Sequence, residues 1–280
     1  MRRARQSFAR YVTCGSAALL ALMGWLPACR PTHTALEPAA VPAPPAELRV
    51  GIAPNYPPLA FELHGKITGV EAEFARKLAP ALGVKMRLVE TPFEELIPAL
   101  LAHRIDIIMS GMSITDERKQ LVSFAHPYLR VGQLLLLRQA DDQRFKDNAA
   151  IDRPTTRVAV VAGTTGEAYA RSHFPRAHID SFDGVDAAVA ALRAQHVDIF
   201  VHDAPSIWRI TAGVNGPEHQ LIGRYEPLTK EYLAWAVRKN DGLRARLDTT
   251  LRLWNQNGTL DAVLNRWISV SRPDRTPTPQ

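Results

Sequence analysis

Residues 104–118 read RIDIIMSGMSITDER, an apolar run that opens into hydroxyls, a glycine and an arginine. Ile105, Ile107, Ile108 and Met109 give the run the character of a buried strand. The polar residues after Met109 fit two uses. Ser113 and Thr115 can donate or accept hydrogen bonds, and Gly111 lets a backbone carbonyl turn toward a pocket. The Arg118 guanidinium can then grip a carboxylate through two parallel hydrogen bonds. The same spacing also fits an ordinary helix start, with Thr115 as its cap and Arg118 in solvent.

Outward from this run, the apolar periods repeat a simple order. LRVGI (48–52) reads as a strand, and Val70, Phe74, Leu78 and Leu82 fall at helix spacing. VKMRLVE (84–90) reads as a strand, and Phe93, Leu96, Ile97, Leu100 and Leu101 mark a second helix. Strand, helix, strand, helix, strand predicts a parallel α/β sheet. VGQLLLL (131–137) is a long apolar strand or crossover. After a charged stretch at 141–153, RVAVVAG (157–163) begins a second series. It has helices over 164–172 and 184–195, a strand VDIFV (197–201), a short helix over Pro205–Ala212 and a strand YLAWAVR (232–238). Leu243, Leu247, Leu251 and Trp254 share one helix face, and Gly258 ends that helix. A closing helix holds Leu260, Val263, Leu264 and Trp267.

Open α/β sheets bind ligands beyond the carboxyl ends of their strands. The candidate site loops are therefore APNYPP after Ile52, SGMSITDER after Met109, AGTTGE after Val161 and HDAPS after Val201. In AGTTGE the amides of a helix start attract anions, and Thr165 can add its hydroxyl. Thr164 with Glu167 equally fits a capping box. Asp203 can cap the helix that Pro205 opens, or bind an ammonium group. His202 beside it makes no catalytic pair, because neighbours on an extended chain point apart. Tyr56 and Phe93 are ordinary core or the walls of a small organic pocket. Taken together, the loops offer donors for a carboxylate and acceptors for an ammonium, which describes a free α-amino acid. The nine histidines are scattered without metal-ligand spacing, so no metal and no cofactor is expected.

Composition bounds the rest. With 46% apolar and 22% charged residues, the 280-residue chain can build a sizeable core. Its charge is +6, but Arg2, Arg3, Arg5 and Arg10 precede every acidic residue, so without those four the excess is only +2. That is a poor footprint for nucleic acid, which is not expected as a partner. Residues 1–28 read as a signal peptide, whose apolar stretch Ala17–Leu26 is too short for a permanent membrane span. LPAC (26–29) resembles the lipobox of bacterial lipoproteins. It implies acylation of Cys29 and attachment to a membrane by lipid; the alternative is an ordinary signal peptide with a free cysteine. Cys14 and Cys29 are the two cysteines, so the folded region has no internal disulfide. Residues 29–47 form a Pro/Ala-rich tether, and 271–280 a disordered tail.

From GIAPNYPPLAF through FEELIPALLAHRIDIIMSGMSITDERKQLVSFAHPYL, the chain resembles the polar amino-acid-binding proteins of bacterial ABC importers. AGTTGEAYA, VDIFVHDAP and LWNQNGTLDAVLNRW continue the resemblance, which spans about 48–267. It implies an α/β, two-lobed periplasmic-binding-protein (Venus flytrap) fold. Lobe 1 would hold 48–131 and 230–270, and lobe 2 would hold 132–227. Two hinge strands near Gly132–Leu136 and Tyr225–Tyr232 would join them. The resemblance places the ligand's carboxylate on Arg118, with Thr165 helping, and its ammonium on Ser113, the Gly111 carbonyl and Asp203. Tyr56 and Phe93 would flank its side chain. The implied partners are a free amino acid and the permease subunits of an ABC transporter. Two rival expectations stand beside this one: a cyclohexadienyl dehydratase-like lyase on the same scaffold, and a stand-alone sensory or envelope lipoprotein.

Overall fold

The computed structural model describes residues 47–212 and 221–268. The expected signal peptide, the expected lipidation at Cys29, the tether apart from Glu47, and the tail 271–280 lie outside them. Among the described residues no helix is long and apolar enough to cross a membrane.

Two five-stranded sheets carry the molecule. The first runs Lys85–Glu90, Glu47–Ile52, Ile107–Ile108, Ala236–Val237, Ser123–Phe124. The second runs His178–Phe182, Arg157–Val161, Ile199–Asp203, Gln133–Arg138, Leu221–Arg224. In each, three parallel strands meet an antiparallel neighbour supplied by a distant part of the chain. Helices cover the sheets because their apolar stripes need a partner. Val70–Leu82 buries Phe74, Ala75 and Leu78, and Val185–Arg193 buries Val185, Ala188 and Leu192. The result is the two-lobed Venus flytrap architecture.

The lobes repeat one electrostatic device. In the first, Asp106 accepts the Arg49 main-chain N–H at 3.0 Å and both arms of its guanidinium. In the second, Asp198 accepts the Arg157 main-chain N–H at 2.9 Å and the same two arms. A second arginine then ties each acid to the antiparallel strand. Arg238 donates to the Leu100 and Ile105 carbonyls, and Arg138 to those of Leu192 and Val197. Each of these arginines also pairs with an aspartate three residues on, Asp241 and Asp141.

Several boundaries differ from the sequence reading. Of Arg104–Met109 only Ile107–Ile108 forms a regular strand. The flanking amides of Asp106 and Met109 still donate to the Arg49 and Gly51 carbonyls, so the ladder thins into single bonds. YLAWAVR divides into Glu231–Leu233 and Ala236–Val237, which belong to different sheets. The crossing between lobes is a pair of antiparallel strands, Leu129–Val131 with Glu231–Leu233. Gly132–Leu136, expected at the hinge, instead leads into the second sheet. Only Gly132 and Gln133 separate the crossing strand from the leucine run of the sheet. Finally, the strand expected to stop at Val201 continues to Asp203.

Candidate functional site

All seven residues chosen from the sequence line one cavity: Tyr56, Phe93, Gly111, Ser113, Arg118, Thr165 and Asp203. Asn55, Gln133, Val161, Thr164 and His202 complete its wall. The cavity lies where the strand ends of both lobes face each other.

Gly111 holds φ at 65°, and a Cβ there would stand 2.7 Å from the Tyr56 ring. Both facts require glycine. Its N–H donates to Glu71 at 2.6 Å. Glu71 is fully buried and also accepts from the Tyr128 hydroxyl at 2.6 Å and the Trp235 indole at 2.9 Å. Burial pushes this carboxyl up, while its three donors pull it down. Sequence reading missed Glu71, because an acid in the first turn of a helix ordinarily needs no explanation beyond the helix dipole.

Of the plain helix-start reading, the Thr115 cap is present but Arg118 is not left in solvent. Thr115 caps the helix Asp116–Leu121 by accepting the Arg118 main-chain N–H at 3.2 Å. The side chain, however, turns inward. Its Nη1 donates to the Ser113 carbonyl at 2.8 Å and its Nη2 to the Gly163 carbonyl at 3.0 Å. The guanidinium lies 5.5 Å from the centre of the Phe93 ring, at cation–π range. Two backbone carbonyls, one from each lobe, thus fix the fork and leave further N–H groups for a guest. Burial lowers its pKa, and the charges of Asp203 and Glu231 oppose that shift.

In the second lobe Thr164 caps the helix Thr165–His173 by accepting from the Glu167 amide at 3.3 Å. Glu167 returns a bond to the Gly163 N–H at 2.8 Å, one residue before the cap. The Thr165 hydroxyl donates to Glu231 at 2.7 Å and lies 3.0 Å from Gln133 Nε2, whose two hydrogens are shared among Thr165, Asp203 and Glu231.

Asp203 does not cap its helix with its side chain. Its carboxylate instead accepts from the Tyr56 hydroxyl and from Gln133 Nε2. Tyr56 is therefore more than a wall, since its hydroxyl crosses from the other lobe. Gln133 faces Asp203 directly in the antiparallel ladder, which explains the pairing. Burial, and after it the charge of Glu231, pushes Asp203 up to about 7 against the pull of Tyr56, Gln133 and Arg118. His202 was expected to face away from Asp203, yet both reach the cavity. Asp203 is the last residue of its strand, with φ −59° and ψ 141°, so strict alternation ends there. The His202 ring stands edge-on to Tyr56, 4.8 Å between centres, and burial lowers its pKa to about 4. It is neutral at physiological pH.

Gln133 was missed, although a lone amide inside VGQLLLL was a usable signal. Glu231 was missed with no signal, since KEYLAW reads as a solvated start to a strand. Among the described residues no group of three or more His, Cys, Asp or Glu is arranged to hold a metal ion.

Comparison with known proteins places the chain. The family model for bacterial extracellular solute-binding proteins, family 3, matches residues 48–270. A probable histidine-binding protein of Campylobacter jejuni subsp. jejuni is 35% identical over 189 residues, covering 67% of this chain and 72% of its own. A cyclohexadienyl dehydratase of Pseudomonas aeruginosa is 26% identical over 227 residues, covering 81% and 84%. Among solved structures, an ancestral amino acid-binding protein, a precursor of cyclohexadienyl dehydratase, aligns with a TM-score of 0.74. It is 32% identical, with 80% of this chain and 96% of that one covered.

Proposed function

Because the chain belongs to the bacterial extracellular solute-binding proteins of family 3, we propose that it captures a free amino acid between its lobes and delivers it to the permease of an ABC importer. The observation that carries this reading is the placement of one guanidinium and one carboxylate, Arg118 and Asp203, on opposite lobes of a single cavity. A zwitterion spanning them offsets the cost of burying each charge. Arg118 takes the α-carboxylate. Asp203, Ser113 and the Gly111 carbonyl take the α-ammonium, and Tyr56 and Phe93 flank the side chain. Such a protein works outside the cytoplasm, in the periplasm, after export by the segment 1–28, held to a membrane by lipid on Cys29.

The test is a thermal-shift screen of the folded region against the common amino acids, followed by calorimetry. One class of amino acid is expected to raise the melting temperature. Arg118→Ala is expected to weaken binding at least about a hundredfold while the fold persists, as for a lost charge-assisted pair. Undiminished affinity in that variant would remove Arg118 from the site.

The lyase reading keeps one specific support. A carboxyl pushed up to about 7, such as Asp203, has the range of a general acid, and a dehydratase is among the relatives. Incubation with prephenate separates the two, since phenylpyruvate release establishes the lyase and an inert mixture leaves the receptor.

A further inference from the structure

Behind the wall that holds Asp203 stands a second carboxylate, supplied by the crossing strand Glu231–Leu233. Glu231 accepts from Thr229 Oγ1 at 2.6 Å, Thr165 Oγ1 at 2.7 Å and Gln133 Nε2 at 3.2 Å. Thr165 and Gln133 both line the cavity, so Glu231 sits one hydrogen bond behind its surface. The Gln133 nitrogen that reaches Glu231 also donates to Asp203. One amide therefore joins two acids from different strands.

Every bond described for these two acids comes from a neutral group, namely three hydroxyls and that amide. Such donors orient a carboxylate without cancelling its charge. With a guest's ammonium holding Asp203 ionised, the charges at this wall among the described residues are one guanidinium, Arg118, and two carboxylates, because His202 is neutral; Glu71, behind Gly111, adds no positive charge to offset them. The balance is one negative charge. A zwitterionic guest does not change it, since its carboxylate answers Arg118 and its ammonium answers Asp203. A guest with one further positive charge does.

We propose that Glu231 is a specificity-determining residue that selects amino acids with a cationic side chain over neutral ones of the same shape. The inference rests on the amino-acid reading above. Glu231 acts through the wall rather than by touching the guest. A fixed charge in a poorly solvated wall is felt over several ångströms, far more than in water. The site also disfavours anionic side chains, by the same field.

The experiment is calorimetry with arginine and citrulline, which differ by a guanidinium against a neutral ureido group. The wild-type protein is expected to bind arginine at least about tenfold more tightly than citrulline, the scale of one unscreened charge. Glu231→Gln keeps the shape and the acceptor. It is expected to cut that ratio at least about fivefold, chiefly by weakening arginine. Equal wild-type affinities overturn the selection. An unchanged ratio in the variant overturns the part given to Glu231. If the variant does not fold, lysine against norleucine on the wild-type protein repeats the charge test, and equal affinities there overturn it. Neutral amino acids binding as well as cationic ones would sink this inference alone. A folded protein silent to amino acids of every charge would sink the amino-acid reading, and this inference with it.

Discussion

A single carboxyl shows how much hangs on its surroundings. Asp203 is buried at the end of its strand, and its pKa rises to about 7. In the ligand-free fold it therefore keeps a proton that the unfolded chain has already lost above the usual carboxylate range. Its contribution to stability thus declines as pH climbs from that range through about 7. Affinity for an ammonium runs the other way, since the ionised form is the acceptor. The dissociation constant is expected to be roughly tenfold weaker at pH 6 than at pH 8, with a proton released on binding at the lower pH. Titration in two buffers of different ionisation enthalpy counts that proton. Asp203→Asn should bind weakly and without the slope; a flat wild-type profile would take the ammonium away from Asp203. Gln133, Tyr56, Arg118 and Glu231 are the groups that face this carboxyl, and two of these four escaped the sequence reading.

Elements position these residues by register. Asp203 meets Gln133 because their strands pair antiparallel, an alignment no local pattern in either strand encodes. Arg118 points inward because a capped helix of six residues begins just before it, with its cap three positions back. Beneath each sheet, the acid-and-two-arginines device holds the strand order. Burial works to raise Asp198, yet the bonds and charge of Arg157 hold its pKa below the usual carboxylate range. Its stabilising effect is therefore present above that range and fades as pH falls through the lowered value. Asp198→Ala leaves Arg138 without that charge and the Arg157 amide without its acceptor. A loss of about 3 kcal/mol is expected, or roughly 6–12 °C in melting temperature for a fold of this size. Ligand affinity at 25 °C should stay within about twofold, because the acid lies away from the cavity. A matching loss of affinity in calorimetry would contradict that separation.

Across the whole molecule, hydrogen bonds run from lobe to lobe. The Ser206 hydroxyl donates to the Pro57 carbonyl at 2.6 Å, and Arg118 reaches the Gly163 carbonyl at 3.0 Å. Tyr56 reaches Asp203, and the Asn55 amide reaches the Asp183 carbonyl. The crossing strands Leu129–Val131 and Glu231–Leu233 are short, which suits a hinge. Each such bond biases the closed state by about 1 kcal/mol. Ser206→Ala touches no cavity residue's side chain, yet it should weaken ligand binding about fivefold through the closing equilibrium. Stopped-flow measurement should find the change in the dissociation rate. An unchanged affinity would mean that closure does not rest on this bond.

By itself the sequence determined most of the two α/β series, though not the strands Ser123–Phe124, His178–Phe182 and Leu221–Arg224, and the loops that carry Tyr56, Phe93, Gly111, Ser113, Arg118, Thr165 and Asp203. Those are local properties: an apolar period, a capping residue, a polar turn after a buried strand. The tertiary structure alone decided that the YLAWAVR run serves two sheets, that Glu71 holds the Gly111 loop, and that Gln133 and Glu231 stand behind Asp203. Each of these depends on partners far away in the chain, 40 residues for Glu71 and Gly111, 70 for Gln133 and Asp203, 98 for Gln133 and Glu231. Periodicity reads what a residue does to its own turn or strand. The charge balance of a buried site is set by which distant side chains the fold brings within a few ångströms, and the proposed selectivity rests there.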